Sequence, residues 1–551
     1  MKKLLCILVL FSYFLMQSAY VDHALSDIHH MHAHYERLKK YNKWYIKDLY
    51  YAIKPSITQV YSVLTGVPQA ALFAVIGHHT HEQQDASVRI VHSDTLCESE
   101  KIYITQRSRN THKALESFLD RSIDKEKQPR IACCFSGGGF RAMILTLGFL
   151  VAAQDSGLLD CVTYMSGLSG STWVMAPWLA TKKDLHEWRD TLGQKTAKGI
   201  RHLKRHFDRK QIVKQLLTKV WFKQSVSAMD IYGPLLANTL LTEFKDTKLQ
   251  VTISDTHEHI MQGRYPLPIY TCIATNIEPY EWFEVTPFEL GSNALGAYVP
   301  LWAYGRAFKD GKSMNYAPEQ SLAYFMGIFG SAFEVDIEDI VRLGANAIKE
   351  FKDDIPSMFH GPIDTIIEKL VDSPLDDVRL APSIMPNFVR DITGVPFAEH
   401  KRLSLVDAGI DFNLPLPPLL RSARDIDVII IYDSSAGGDI GCDLRYAAAY
   451  AQRKGIKFPP IPESLGKELC TIMQDPHDAT CPTIIYMPRI KNEAYSTAFD
   501  PDNCIDNQYC STFNFKYSQE NINELSGLAE FSCHQYIDTI KKVIAERYAR
   551  K

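Results

Sequence analysis

Hydrophobic positions between residues 130 and 180 form short apolar runs, each followed by small residues and then by a longer apolar stretch. Residues 130–135 predict a buried strand, and the glycines after it lead into a helix from residue 140 to about 154. A second apolar run at 161–165 is again followed by a small-residue turn and a helix. Because successive strand–turn–helix units build parallel sheets, this pattern predicts an α/β protein.

Three further segments complete the predicted architecture. Residues 428–432, Val-Ile-Ile-Ile-Tyr, predict another buried strand. Residues 310–400 are rich in Phe, Met, Asp and Pro, and we interpret them as a cap inserted over a site. Residues 20–95 have a mostly helical and polar pattern. The predicted fold class is a layered α/β/α body with a central, mainly parallel or mixed sheet and an inserted cap or lid.

The first residues resemble a secretory signal, in which positive charges are followed by an apolar run. Lys2 and Lys3 precede an apolar run from residue 4 to residue 16 that is short for a membrane span. We predict a signal peptide at 1–19, cleaved after Ala19, and therefore an exported protein that associates peripherally with membranes. An uncleaved anchor or a buried helix is the alternative, and without a signal the protein would be cytoplasmic.

Composition and charge narrow the class of protein. The chain has 551 residues, 46% hydrophobic and 23% charged, which excludes collagen, coiled coils and wholesale disorder. A net charge of −4 produces no overall positive potential that would attract nucleic acid. We therefore predict no nucleic-acid partner. The segment 195–219 nevertheless holds nine Lys or Arg against one acid, with apolar residues at helical spacing. This basic face is either a solvated surface or a docking surface for anionic lipid.

Twelve cysteines in 551 residues are too few for a disulfide scaffold. Cys504 and Cys510 lie in a polar loop, and we predict that they form a disulfide. Cys133, Cys134 and Cys161 lie in apolar runs, where reduced core thiols are expected. Because no CxxC pair occurs, the sequence predicts no zinc ribbon.

The first chemical motif is Ser-Gly-Gly-Gly-Phe-Arg-Ala at residues 136–142, between a strand and a helix. Its glycines fit the dinucleotide fingerprint GxGxxA, with Asp155 or Asp160 at about the spacing of a ribose ligand. The same glycines could instead present backbone N–H groups to a developing negative charge, as an oxyanion hole. No Lys-Ser or Lys-Thr pair follows them, so a P-loop is excluded.

The second motif, Gly-Leu-Ser-Gly-Ser at residues 167–171, favours the oxyanion hole over the nucleotide site. It lies between the strand at 161–165 and a helix, which is the arrangement of a nucleophile elbow that exposes Ser169. The last position is Ser171 rather than Gly, a departure from GxSxG that keeps a small residue in the turn.

The third motif supplies an acid. Asp407 stands between an apolar strand end and a small-residue turn, followed by Phe-Asn-Leu-Pro at 412–415. Because none of the three motifs contains His, we predict a Ser-Asp dyad in which Asp407 accepts the Ser169 proton. The alternative is a triad of Ser169, Asp407 and either His477 or His534.

Together these motifs closely resemble the catalytic domain of the group IV, or cytosolic, phospholipase A2 family. The resemblance runs from about residue 95 to the C-terminus, and it defines a predicted catalytic domain at 96–551. Further similar stretches occur, in the same order as in the family, at 266–271, 283–289, 329–333, 486–489 and 511–515.

The resemblance implies a phospholipase A2 or lysophospholipase that hydrolyses the fatty acyl esters of glycerophospholipids through an acyl-serine intermediate. Ser169 would be the nucleophile and Asp407 its general base. Gly138 and Gly139 would donate the N–H groups of the oxyanion hole. The resemblance implies no cofactor and no metal in the chemistry.

Two arginines correspond to family positions that bind or approach the substrate phosphate, Arg141 and Arg424. The implied partner is a phospholipid membrane or micelle surface, and no obligatory protein partner follows. Residues 20–90 look helical and too short for the C2 domain of calcium-responsive members, so we expect calcium not to be needed. A non-catalytic lipid-binding protein and an acyltransferase of the same fold are the alternatives.

Overall fold

A mixed β-sheet organises the chain in the computed structural model. The model describes the residues 85–197, 199, 211–212, 215–216, 218–219, 222, 224–277, 279–331, 383–437, 439–506, 509–512 and 514–551. All of them belong to one compact unit, His79–Lys551. The predicted signal peptide at 1–19 and most of the predicted helical region at 20–95 lie outside the described residues.

Twelve strands among the described residues form the main sheet, and two more form a separate hairpin. The hairpin consists of β8 (Phe308–Lys309) and β9 (Lys312–Ser313). The strands of the main sheet are β1 (Arg89–Ile90), β2 (Ile131–Phe135), β3 (Val162–Gly167), β4 (Leu267–Ala274), β5 (Glu281–Val285), β6 (Glu289–Ser292), β7 (Ala297–Pro300), β10 (Ser383–Pro386), β11 (Arg402–Asp407), β12 (Val428–Asp433), β13 (Thr471–Met473) and β14 (Thr483–Pro488).

The strand order is β1-β7-β6-β5-β4-β3-β2-β12-β14-β13, and β11 pairs with β4 and with β10. The central strands β4, β3, β2, β12 and β14 run parallel to one another, and the remaining pairs are antiparallel. The predicted mixed α/β sheet is therefore confirmed. All residues of β2 and β12 are buried, which requires helices or loops over both faces of the sheet.

Twelve α-helices are present among the described residues. They are α1 (Glu98–Leu119), α2 (Gly139–Asp155), α3 (Leu158–Cys161), α4 (Thr172–Thr181), α5 (Leu185–Thr196), α6 (Met229–Leu240), α7 (His257–Met261), α8 (Leu322–Phe329), α9 (Cys442–Lys454), α10 (Pro501–Asp506), α11 (Gln519–Gln535) and α12 (Ile537–Arg550). Helix α2 is apolar on all sides and buried from Gly139 to Ala153, so it lies inside the helical layer. It packs closely on α11, because a Cβ at Gly148 would stand 2.0 Å from the Ser526 carbonyl oxygen.

The predicted strand–turn–helix units are present with small shifts. The first predicted strand and helix correspond to β2 and α2. The second strand begins at Val162 and ends at Gly167, later than predicted, because Cys161 closes the short helix α3. The predicted helical region at 20–95 is wrong at its end, where β1 pairs antiparallel with β7 and α1 begins only at Glu98.

Both described ends of the predicted cap at 310–400 are built into the body of the protein. Every residue of α8 is buried, and β10 pairs with β11 in the main sheet. Residues 332–382 lie outside the described part of the chain, and the cap remains a prediction. Among the described helices, none has the length and apolar character needed to cross a membrane.

Most of the basic segment 195–219 also lies outside the described residues, but its two ends are described. Lys195 forms an ion pair with Glu243 at 2.5 Å, and its side chain is 10% exposed. Lys219 is buried, forms an ion pair with Asp230 at 2.5 Å, and lies over the Tyr324 ring. These two lysines are therefore engaged in internal contacts, and a docking surface would depend on the cations between them.

The predicted disulfide and the three predicted core thiols are confirmed. Cys504 and Cys510 form a disulfide. Cys133, Cys134 and Cys161 are free and buried, the first two within β2 and the third at the end of α3.

Candidate active site

Ser169 lies in a strained turn between β3 and α4. Its backbone has a φ of 51°, in the left-handed region that non-glycine residues rarely adopt. The residue is 5% exposed and opens the 3-10 turn Ser169–Ser171, which leads directly into α4. A serine held at positive φ on a strand-to-helix turn has the geometry of a nucleophile elbow.

The departure of Ser171 from the GxSxG pattern has a structural reason. The Ser171 hydroxyl accepts a hydrogen bond from the Leu168 N–H at 2.9 Å. The single hydroxyl proton is shared between the Leu168 carbonyl at 2.8 Å and the Phe135 carbonyl at 3.0 Å. Because Phe135 ends β2, this side chain closes the elbow and ties it to the neighbouring strand, which a glycine would not do.

The glycine turn at 137–139 packs directly against the elbow. Gly138 and Gly139 have φ values of 135° and 61°, and Gly139 is the first residue of α2. A Cβ at Gly170 would stand 1.8 Å from the Gly139 carbonyl oxygen, so only glycine fits at position 170. The first N–H groups of a helix have no partner within it, and the dipole of α2 favours a negative charge near them.

Asn413 holds the glycine turn in place, a role that the sequence did not reveal. Its Oδ1 accepts a hydrogen bond from the Gly137 N–H at 3.1 Å, and its Nδ2 donates to the Gly137 carbonyl at 3.1 Å. The Nδ2 group also donates to the Ser435 hydroxyl at 2.7 Å. The available signal was the Phe-Asn-Leu-Pro stretch after Asp407, but its partner in the glycine turn, Gly137, lies 276 positions earlier in the chain.

Asp407 is brought towards the elbow by the register of two strands on the same side of β4. The last residue of β3, Gly167, pairs with Tyr270, and the last residue of β11, Asp407, pairs with Cys272. Because β3 is parallel to β4 and β11 is antiparallel to it, their carboxyl ends face each other. Their partners on β4, Tyr270 and Cys272, are two positions apart along the strand, a distance of about 7 Å.

The Asp407 carboxylate is fully buried. Its Oδ1 accepts a hydrogen bond from the Gly409 N–H at 2.9 Å, and the Asp407 N–H donates to the Ser331 hydroxyl at 3.2 Å. Burial, together with the negative charge of Asp407, raises the pKa of Tyr232 and of Cys272. The elbow, the glycine turn and this acid therefore share one edge of the sheet.

Arg141 folds back over the glycine turn. Its side chain is 1% exposed, and its Nη2 stands where a side chain on Gly138 would be, 2.3 Å from that Cβ position. Nε donates to the Ser434 carbonyl at 3.0 Å, and Nη1 donates to the Cys510 carbonyl at 2.7 Å. Burial, and secondarily the charge of Arg489, lower the pKa of Arg141 to about 10. No carboxylate of the described residues forms an ion pair with it.

The structure does not bring Arg424 to this site, which corrects the expectation drawn from the sequence. Arg424 is 0% exposed and bound by Glu100, by Glu284 and by the Pro418 carbonyl. Its own carbonyl accepts from Arg130, the residue before β2. The two carboxylates therefore neutralise the Arg424 guanidinium. Arg424 lies at the amino ends of the parallel strands, whereas Ser169 follows the carboxyl end of β3.

Neither candidate histidine lies near the elbow. His477 is exposed in the connection that precedes β14, at the amino edge of the parallel strands. His534 lies beside Asp155 and Glu530, with ligand atoms of the three within 4.8 Å. Asp155 ends α2, about 24 Å along the helix from Gly139. Among the described residues, this is the group of side chains whose ligand atoms lie close enough together to hold a metal ion. Arg189 forms an ion pair with Glu530 of this group at 2.6 Å.

A mixed α/β sheet with a strained serine elbow, an adjoining glycine turn and an acid at a strand end defines a protein of the nucleophile-elbow class. A model of the lysophospholipase catalytic domain family matches residues 131–464, and the chain belongs to this family.

Individual relatives agree with this assignment. Mouse (Mus musculus) cytosolic phospholipase A2 delta is 26% identical over 546 aligned residues, covering 84% of this chain and 63% of its own length. The solved structure of human GIVD cytosolic phospholipase A2 matches with a TM-score of 0.69 and 22% identity, over 85% of this chain and 69% of that one. Its complex with methyl γ-linolenyl fluorophosphonate matches with a TM-score of 0.64 and 23% identity, over 85% of this chain and 66% of that one. The structural matches show a shared fold.

Proposed function

We propose that this protein is a phospholipase A2 or lysophospholipase that uses Ser169 and Asp407 as a catalytic dyad. The observation that carries the proposal is the meeting of β3 and β11 beside β4, which directs the elbow serine and the buried acid to one edge of the sheet. Membership of the lysophospholipase catalytic domain family supports lipid ester hydrolysis as the reaction.

In the acylation step, Asp407 takes the proton of the Ser169 hydroxyl while the oxygen attacks the acyl carbonyl carbon of the lipid. The negative charge that develops on the carbonyl oxygen is stabilised by the N–H groups of Gly138 and Gly139. The ester C–O bond then breaks, and Asp407 returns the proton to the leaving alcohol. The fatty acyl group remains on Ser169 as an ester.

In the deacylation step, water takes the place of the departed alcohol. Asp407 accepts a proton from the water as its oxygen attacks the acyl-serine carbonyl, and the proton then returns to Ser169 as the fatty acid leaves. Every proton in both steps moves between Asp407, Ser169, the alcohol and water, so the chemistry that we propose needs no calcium.

Arg141 supports a phosphate-bearing substrate. A guanidinium beside the glycine turn that forms no ion pair with a carboxylate of the described residues can attract the lipid phosphate while the ester lies at Ser169. Arg424 is not included in the proposal, since Glu100 and Glu284 already neutralise it. The substrate would be taken from a membrane or micelle surface.

We also propose export, because the disulfide between Cys504 and Cys510 is typical of an oxidising compartment. The signal at 1–19 would direct it. The names of the relatives contain the word cytosolic, and retention in the cytoplasm is therefore the alternative that an experiment on the N-terminus must separate.

Release of labelled fatty acid from phospholipid micelles tests the dyad. We expect Ser169→Ala to lower the rate roughly a thousandfold or more, and Asp407→Ala at least about a hundredfold. His477→Ala is the matched control and should stay within about twofold of the unmodified protein. Activity that survives Asp407→Ala in folded protein would contradict the dyad.

Three further measurements separate the remaining alternatives. Covalent labelling of Ser169 by methyl γ-linolenyl fluorophosphonate is expected, whereas a non-catalytic lipid-binding protein would not react. Hydrolysis should persist in a calcium chelator, and a strict requirement for added calcium would contradict the proposed chemistry. Fatty acid that appears on an added alcohol rather than as free acid would identify an acyltransferase.

A further inference from the structure

The disulfide between Cys504 and Cys510 lies next to the candidate active site. Cys504 is 3% exposed and Cys510 is 0% exposed, so the bridge is part of the interior. The Cys510 N–H also donates to the Cys504 carbonyl at 2.9 Å, which fixes both ends of the bridge. Cys504 belongs to α10, and Cys510 belongs to a segment that we define as residues 509–512.

The 509–512 segment makes direct contacts with the glycine turn and with Arg141. The Cys510 carbonyl accepts from Arg141 Nη1 at 2.7 Å, and the Thr512 hydroxyl accepts from the same nitrogen at 3.4 Å. A Cβ at Gly139 would stand only 2.3 Å from the Thr512 carbonyl oxygen, so that backbone packs directly on the first residue of α2.

The other side of the bridge is anchored by Arg489. Asp502 of α10 accepts from Arg489 Nη2 at 2.8 Å. Arg489 Nε donates to the Ser435 carbonyl at 3.2 Å, next to the Ser434 carbonyl that accepts from Arg141 Nε. The disulfide therefore joins a helix held by Arg489 to the segment that holds Arg141 and the glycine turn.

We propose that the Cys504–Cys510 disulfide is a positioning element of the active site, which fixes Arg141 and the oxyanion glycines through the 509–512 segment. The proposal rests on the lipid hydrolase function proposed above. Because the shorter hydrogen bond to Arg141 and the contact with Gly139 come from main-chain oxygens, the positions of these two residues depend on the backbone of this segment. Opening the bridge would release that backbone at the end next to Cys510 and make phospholipid hydrolysis sensitive to thiol reduction.

The chemical step is a thiol–disulfide exchange with a small dithiol as reductant. A dithiol thiolate attacks one sulfur of the bridge, which releases the other cysteine as a thiolate and leaves a mixed disulfide. The second dithiol sulfur then attacks the first dithiol sulfur of this mixed disulfide and releases the second cysteine thiolate. The S–S bond of the protein is replaced by two cysteine thiols, and the dithiol is oxidised to its own cyclic disulfide.

The test uses the full-length protein before and after reduction by dithiothreitol, with the opened bridge counted by iodoacetamide trapping and mass spectrometry. We expect kcat on phospholipid micelles to fall about tenfold or more, and to fall further than kcat on p-nitrophenyl butyrate, which has no phosphate. Reoxidation should restore activity. The double variant Cys504→Ser/Cys510→Ser should show the low rate with or without dithiothreitol, and Cys470→Ser should behave as the unmodified protein.

Hydrogen exchange of the amides in residues 136–142 provides a readout that does not depend on activity. Their exchange should become about tenfold faster when the bridge opens, if the segment positions the turn. Unchanged exchange and an unchanged ratio between the two substrates in reduced protein would overturn the proposal. A parallel loss of both activities with a lower Tm would also overturn it, as the result of a purely structural disulfide. Absence of hydrolysis by the oxidised protein would instead contradict the proposed function, and the exchange measurement would still decide the role of the bridge.

Discussion

At the scale of single residues, the candidate site depends on small contacts that leave no room for larger groups. Ser169 adopts a positive φ, and Gly170 stands against the Gly139 carbonyl, so the elbow and the glycine turn form one packed unit. The strain at Ser169 is held in place by Ser171, whose hydroxyl bonds the elbow to β2. Gly139, Gly170 and Ser171 therefore fix the position of Ser169.

Asn413 provides a test of this view. Replacing it with Ala removes both hydrogen bonds to Gly137, and we expect kcat to fall about tenfold with little change in KM, because the oxyanion donors lose their position. Michaelis kinetics on phospholipid micelles measure the effect.

Asn276→Ala is the matched control for Asn413→Ala. Asn276 bridges backbone groups in the same way, donating to the Arg402 carbonyl at 2.8 Å and accepting from the Ser404 N–H at 3.0 Å, at the opposite end of β11 from Asp407. Each variant should lose about 1 kcal/mol of stability, but only Asn413→Ala should lose activity. An equal kcat in the two variants would contradict the positioning role.

At the scale of elements, strand register brings distant motifs together. Ser169 and Asp407 are 238 positions apart, and each motif was visible in the sequence. Their proximity was not, because it depends on β11 pairing with the second half of β4, beyond the end of β3. Hydrophobic patterns predict strands, but they do not specify which strand occupies which neighbouring position.

The amino edge of the sheet is held by a network of ion pairs whose pH dependence can be measured. Asp94 accepts from Arg421 at 2.8 and 2.9 Å, from the Ser422 hydroxyl at 3.0 Å and from the Ala423 N–H at 2.9 Å. Burial alone would raise the pKa of Asp94, but Arg421 and these hydrogen bonds outweigh it and lower the pKa below 3.8. The ionised form is therefore favoured in the folded protein.

We expect Asp94→Asn to lower the stability by about 2 kcal/mol at neutral pH. A lowered folded pKa gives a contribution that is fully present above the unfolded pKa of 3.8 and is lost as pH falls through the folded pKa. The Tm difference between the two proteins should therefore be constant from pH 7 to 5 and shrink below about pH 4. Glu98→Gln, which removes an exposed ion pair with Lys101, is the control and should change Tm little at any pH. A Tm difference for Asp94→Asn that grows in acid would contradict this assignment.

At the scale of the whole molecule, the sequence was sufficient for the α/β class and for the three motifs, and insufficient where function depends on partners far along the chain. Arg424 illustrates the limit: its position in the sequence suggested a phosphate ligand, but Glu100 and Glu284 occupy its donors. The disulfide at 504–510 was predictable because the two cysteines are only six positions apart. Its contact with Arg141 was not, since 369 positions separate the two partners of that hydrogen bond.

The compartment is the remaining property of the whole molecule that can be predicted. Lys2 and Lys3 followed by an apolar run predict a signal peptide, and a buried disulfide beside the site requires a compartment where it persists. In a secreting host cell we expect the protein in the medium, with Tyr20 as its first residue and Cys504 bonded to Cys510, as measured by mass spectrometry without reduction.

Val9→Arg, which places a charge in the apolar run, should retain the protein in the cell, whereas His29→Arg, which adds the same side chain after the run, should not. Protein that keeps Met1 and reduced thiols at 504 and 510 would instead indicate the cytoplasm, and it would leave the 509–512 segment without the bridge that we propose to position Arg141.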